Sequence, residues 1–177
     1  MKIKRLVCLG ISLALLTLSG CGGGDGTTTT TTITPTPTPS PTSGLLKVSA
    51  AGTPNTIGAI DMTINFPSGV KVSTNATTGE TTDGVVAASG IAVGSNTLAT
   101  GIFTLASGTT PARLHIGLIN AAGFPLGEFV TIKFDLETGG TFPASASVFT
   151  VAGIAAKGLS GDPLDGVSVS NITMQAQ

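Results

Sequence analysis

Few side chains in this 177-residue chain can do chemistry: one histidine, two cysteines and nine carboxylates, with no Trp or Tyr. His115 lies in Arg113-Leu114-His115-Ile116. A Ser–His–Asp hydrolase would need it beside an exposed serine. No Gly-x-Ser-x-Gly elbow is present, and Gly158-Leu159-Ser160-Gly161 falls one residue short of one. Glycoside hydrolysis needs two carboxyls facing one cleft. Asp61, Glu128, Asp135 and Glu137 instead fall at outward positions of alternating runs. Asp162 and Asp165 flank a turn between Gly161 and Gly166. Two carboxylates are too few for calcium, which takes about six to eight oxygens. No catalytic residue, metal site or cofactor is expected.

The cysteines have a clearer meaning. Lys2, Lys4 and Arg5 precede an apolar run from Leu6 to Leu18. That run has the length of a signal-peptide core and is too short to cross a bilayer. The tetrad Leu18-Ser19-Gly20-Cys21 resembles the lipobox of bacterial lipoproteins. The resemblance implies cleavage between Gly20 and Cys21, lipidation of Cys21, and a membrane anchor in the cell envelope. Gly22, where an Asp would retain a lipoprotein on the inner membrane, implies the outer membrane in a Gram-negative cell. Cys8 then leaves with the signal and Cys21 is blocked. Neither a disulfide nor a cysteine-based metal site can form, so the domain must be stable by packing.

Three segments follow from composition: a signal peptide over 1–20, the lipidated Cys and linker over 21–43, and one domain over 44–177. The linker opens with Gly22-Gly23-Gly24, continues through Thr27–Thr32, and alternates Pro35, Pro37, Pro39 and Pro41 with Thr or Ser. Alternating prolines fix φ and remove donors, which favours an extended polyproline helix acting as a spacer. Losing Lys2, Lys4 and Arg5 leaves five cations against nine acids. That balance argues against nucleic acid, whose binding needs a basic face.

The domain reads as all-β. Short runs separated by Gly, Pro, Asn and Asp span 45–48, 57–66, 70–73, 84–88, 97–105, 112–119, 129–136, 147–154 and 167–174. In 57–66, Met62, Ile64 and Phe66 point inward while Asp61, Thr63 and Asn65 point outward. In 129–136, Val130, Ile132, Phe134 and Leu136 share one face. The last run changes phase between Val169 and Ile172, which predicts a bulge. Eight or nine short strands predict a two-layer antiparallel β-sandwich of jelly-roll type.

Ile57-Gly58-Ala59-Ile60-Asp61-Met62-Thr63-Ile64-Asn65-Phe66-Pro67, followed by Val70-Lys71-Val72, is similar to an early strand and turn of cohesin domains. Gly127-Glu128-Phe129-Val130-Thr131-Ile132-Lys133-Phe134 resembles a later cohesin strand. Leu159-Ser160-Gly161-Asp162-Pro163-Leu164-Asp165-Gly166-Val167 resembles the loop before the last one. The turn here is Phe66-Pro67, without the Asp that cohesins place between aromatic and proline, so the likeness is to a divergent member. It implies a non-catalytic module that binds a protein partner, dockerin-like or other, through one sheet face. The contributing positions of the early strand map onto Ala59 and Asp61, and only Asp61 is polar. Asp61, Thr63 and Asn65 are therefore the candidate partner-binding face. The alternatives are a carbohydrate- or cell-wall-binding module and a structural envelope lipoprotein. The lack of Trp and Tyr argues against a polysaccharide-stacking platform.

Overall fold

The computed structural model describes residues 39–54 and 56–177. By its internal contacts the chain divides into Met1–Pro37 and Thr38–Gln177. The segment expected to be a signal peptide, Gly20, Cys21 and nearly all of the segment expected to be a linker lie outside the described residues.

Ten strands follow one another: β1 (Ser43–Ala51), β2 (Ile57–Phe66), β3 (Val70–Lys71), β4 (Val86–Ala88), β5 (Thr97–Thr104), β6 (Ala112–Phe124), β7 (Gly127–Leu136), β8 (Thr150–Lys157), β9 (Pro163–Leu164) and β10 (Ser168–Ala176). Two short 3₁₀ turns, Gly90–Ala92 and Ala146–Val148, complete the regular structure among the described residues. One sheet runs β10-β1-β7, with β3 and β4 sharing the far edge of β7. The other runs β5-β6-β2-β8-β9. Every pairing is antiparallel.

Alternation in the sequence builds the layers. Along β1, Leu46, Val48 and Ala50 are buried while their neighbours are half-exposed. Along β2, Ile60, Met62, Ile64 and Phe66 are buried and face Leu114, Ile116 and Leu118 of the adjacent β6 within the same core. Ile132 and Phe134 of β7 close that core from the opposite sheet. A period of two on each strand leaves one face for the core and one for solvent.

Aromatic rings stitch the two layers together. Phe66 meets Phe103 edge-on at 5.5 Å and Phe149 at 5.2 Å. Phe149 in turn meets Phe134 at 5.4 Å, and Phe134 meets Phe142 at 5.7 Å. Phe66 and Phe103 belong to one sheet and Phe134 to the other, with Phe149 between them. Six of the seven phenylalanines are buried and Phe142 is half-buried, so no Phe forms an exposed stacking platform.

The expected bulge is present. Ser49 pairs with Asn171 and Ala50 with Val169, which leaves Ser170 as the extra residue of β10. A second bulge accounts for two adjacent buried residues in β7. Val48 pairs with Val130 and Ser49 with Glu128, so Phe129 is unpaired and turns its ring inward.

The structure corrects several boundaries. The strand expected at 147–154 begins at Thr150 and runs to Lys157, because Ala146–Val148 forms a 3₁₀ turn. Pro163 and Leu164, read as part of a turn between Asp162 and Asp165, pair with Lys157 and Ala156 and form β9, a strand absent from the sequence reading. The strand expected to stop at Ile119 continues to Phe124. Asn120 is the reason. Its buried Nδ2 donates to Thr97 Oγ1 at 2.8 Å, and its Oδ1 accepts from Ala122 N–H at 2.8 Å. The side chain thus takes up local backbone and hydroxyl groups across an irregularity, after which Phe124 pairs with Ile57.

Candidate binding face

Sequence alternation sends every second residue of β2 to the outer face, and β2 lies inside its sheet, between β6 and β8. The strand registers then fix the neighbours of each residue. Leu98, Ile119, Ala59 and Lys157 form one row across β5, β6, β2 and β8. Thr100, Gly117, Asp61 and Ala155 form the next. Ile102, His115, Thr63 and Gly153 follow, and Thr104, Arg113, Asn65 and Thr150 close the set. Successive rows are about 7 Å apart and adjacent strands about 4.8 Å.

The three residues expected on the binding face therefore stand in one column of this grid. Asp61 is exposed, and Thr63 and Asn65 are half-exposed because both flanking strands crowd them. Asn65 Nδ2 donates to Thr150 Oγ1 at 3.1 Å, while its Oδ1 is buried without a partner.

His115 is the residue that sequence reasoning set aside. Its Nε2 lies 3.0 Å from each carboxylate oxygen of Asp61. Both oxygens are acceptors, so Nε2 carries the hydrogen. The pair is well exposed, with side chains 50% and 62% accessible. Among the described hydrogen bonds, His115 has Asp61 as its side-chain partner and no hydroxyl or thiol. No signal in either segment alone pairs these residues. They sit diagonally, Asp61 opposite Gly117 and His115 opposite Thr63, so the register and the absent Gly117 side chain together let them meet.

Around that pair the face is apolar and low. Leu98, Ile102 and Ile119 are 60%, 49% and 56% exposed. A shallow hollow of about 270 Å³ opens between Ile119, Asp61 and Lys157, floored by Ala59, Gly117 and Ala155. Most exposed apolar residues on a protein are scattered singly. Leu98 and Ile119 stand side by side on adjoining strands, and Ile102 lies two rows further along beside His115, so exposed apolar groups flank the Asp61–His115 pair on both sides of one face.

The other acids lie elsewhere. Glu128 is on the opposite sheet, 3.8 Å from Lys47 Nζ. Asp135 accepts from Ser73 Oγ at 3.4 Å, also on that sheet. Asp162 accepts from Ser160 Oγ at 2.6 Å within its turn. No group of three or more His, Cys, Asp or Glu among the described residues is placed to hold a metal.

These features define an antiparallel β-sandwich with a flat, mixed apolar and polar face on its β5-β6-β2-β8 layer. No family model matches the chain, and no curated protein matches it. Among solved structures it is similar to a non-cellulosomal cohesin from the hyperthermophilic archaeon Archaeoglobus fulgidus. The TM-score is 0.45 and the identity 15%, over 72% of this chain and 75% of that one. The two-sheet architecture stands on the strand pairing above, independently of that likeness.

Proposed function

We propose that this chain is a non-catalytic, cohesin-like protein-binding module, tethered to the cell envelope through lipidated Cys21 and held off the membrane by its Thr/Pro linker. The partner docks on the outer face of the β5-β6-β2-β8 layer. The observation that carries this reading is the placement of exposed Leu98 and Ile119 on one side of the Asp61–His115 pair and exposed Ile102 on the other, all on one sheet face. The order of cohesin-like segments along the sequence supports it independently of any single residue. Thr63 and Asn65 extend the polar column from Asp61 toward Arg113 and Thr150. The partner is a protein because the face is broad and shallow and presents no exposed aromatic ring for a sugar.

Crosslinking capture from intact cells tests the docking face. Wild type, Asp61→Ala and Ile119→Asp are compared as full chains. A protein recovered with wild type and lost with both variants supports the reading. Equal recovery from all three sinks this face as the site. Anchoring is tested separately by metabolic labelling with a radioactive fatty acid, which Cys21→Ser should abolish. Label persisting in Cys21→Ser would remove the lipid anchor.

A further inference from the structure

Both sheets have edges, and most of them are covered. The edge of β5 is met by the loop between β3 and β4: Thr81 N–H donates to Gly101 O at 2.8 Å and Phe103 N–H to Gly79 O at 2.9 Å. The far edge of β7 carries β3 and β4 and a bond from Lys133 N–H to Val85 O at 2.8 Å. The outer edge of β8 is interrupted by the extra residue Ala152 and ends at β9, which contains Pro163. Bulges and prolines are common ways of blunting an edge.

β10 differs. Among the described residues it pairs only with β1. Its single bulge is at Ser170, and from Asn171 to Ala176 the register with β1 is unbroken. No Asp, Glu, Lys, Arg or Pro occurs between Asp165 and Gln177. The donation from Gln177 N–H to Ser43 O at 2.9 Å fixes the phase of the ladder. Thr173 and Gln175 then spend their backbone groups on β1, while Ile172, Met174 and Ala176 turn theirs outward.

We propose that β10 is a self-association edge, joining two copies of this chain by antiparallel β10–β10 pairing about a two-fold axis at Thr173. The occupant is a second copy because this register is self-complementary. Ile172 falls opposite the second copy's Met174, apolar against apolar. Asn171 falls opposite the second copy's Gln175, amide against amide, and Thr173 meets itself. No charge opposes a like charge, which is the usual penalty of symmetric pairing. The half-buried Ile172 and Met174 lie beside an open seam between β8 and β10, a hollow of about 520 Å³ lined by Phe149, Val151, Ile154, Val169 and Ile172. Pairing covers the rim of that seam. The contact closes at two copies, because each chain contributes the same edge. It leaves the Asp61 face free, and it is independent of what that face binds.

Sedimentation equilibrium of the full chain with Cys8→Ser and Cys21→Ser, over a wide concentration series, is the test. A monomer–dimer equilibrium is expected. Thr173→Lys sets two ammonium groups face to face at the axis and should abolish the dimer. Thr173 is exposed, so the variant's thermal melt should match the parent. Thr173→Cys in the same background should give a disulfide-linked dimer on mild oxidation. A non-hydrogen-bonded cross-strand pair has its Cα atoms about 4.5 Å apart, within the range a disulfide spans. Thr104→Cys, on the far sheet, should not crosslink. A monomer at every concentration overturns the proposal. So does a dimer whose constant is unchanged by Thr173→Lys, or equal crosslinking of the two cysteine variants.

Discussion

Phe149 is the ring on which the two layers depend. It sits just before β8 and is 3% exposed, and it contacts Phe66 of one sheet and Phe134 of the other. Truncation to alanine breaks the line of five rings at its centre. Burying a phenylalanine removes about 150–250 Å² from water. At ~25 cal/mol per Å² the upper figure gives about 6 kcal/mol for the whole side chain. Alanine keeps the Cβ, and Phe→Ala core substitutions cost about 3–5 kcal/mol. Two ring pairs are lost at once, each worth about 0.5–1.5 kcal/mol beyond burial, so Phe149→Ala belongs near the top of that range, about 4–5 kcal/mol. Partial collapse is hindered because Phe149 also lines the open β8–β10 seam. A domain of this size shifts by roughly 3–6 °C per kcal/mol, so the midpoint should fall by more than about 12 °C. Phe149→Leu refills most of the volume without the ring geometry and should lose about 1–2 kcal/mol. With no Trp or Tyr in the chain, the readout is far-UV circular dichroism or calorimetry. A loss below about 1.5 kcal/mol for Phe149→Ala would refute the idea that this ring couples the sheets.

Three further outcomes follow from the same packing. Asn120→Ala leaves Ala122 N–H without its acceptor and Thr97 Oγ1 without its donor, and should cost about 2–3 kcal/mol in urea unfolding. Gly58→Ala would set a Cβ 2.7 Å from the Gly158 carbonyl oxygen, against backbone that cannot swing aside. It should cost about 1–3 kcal/mol, and a neutral result would mean the loop after β8 gives way freely. The Asp61–His115 pair, by contrast, is exposed. A double-mutant cycle with Asp61→Ala and His115→Ala should show a coupling of about 0.5 kcal/mol or less in stability, whatever its weight in binding.

Most of the sandwich was legible because its strands alternate cleanly. β2 lies at 57–66 as the alternation predicts, and the phase change in the last strand marked the bulge at Ser170. The misread boundaries share a cause. Asn120 looks like a strand terminator until its amide is seen satisfying Thr97 and Ala122. Pro163 looks like a turn residue until β9 proves to be an edge, where a missing donor costs nothing. Of the candidate face, the column Asp61–Thr63–Asn65 could be read from β2 alone. Leu98, Ile102 and Ile119 could not. Both faces of 97–105 carry apolar residues, and which face is buried depends on the neighbouring strand.

By itself, the sequence of this protein determined what is local: the basic and apolar run before Cys21, the Thr/Pro-rich composition after it, the strand periods, and the outward phase of Asp61. Each of these is set by residues within a few positions of one another. Tertiary structure alone decided what is relational. It brought His115 to Asp61 across strands that are 54 residues apart in sequence. It set three exposed apolar side chains around that pair on one face, and among the described residues it left β10 as an uncharged outer edge whose register with β1 is unbroken from Asn171 to Ala176. Register and strand order arise from the closure of the whole core, and no segment specifies them alone.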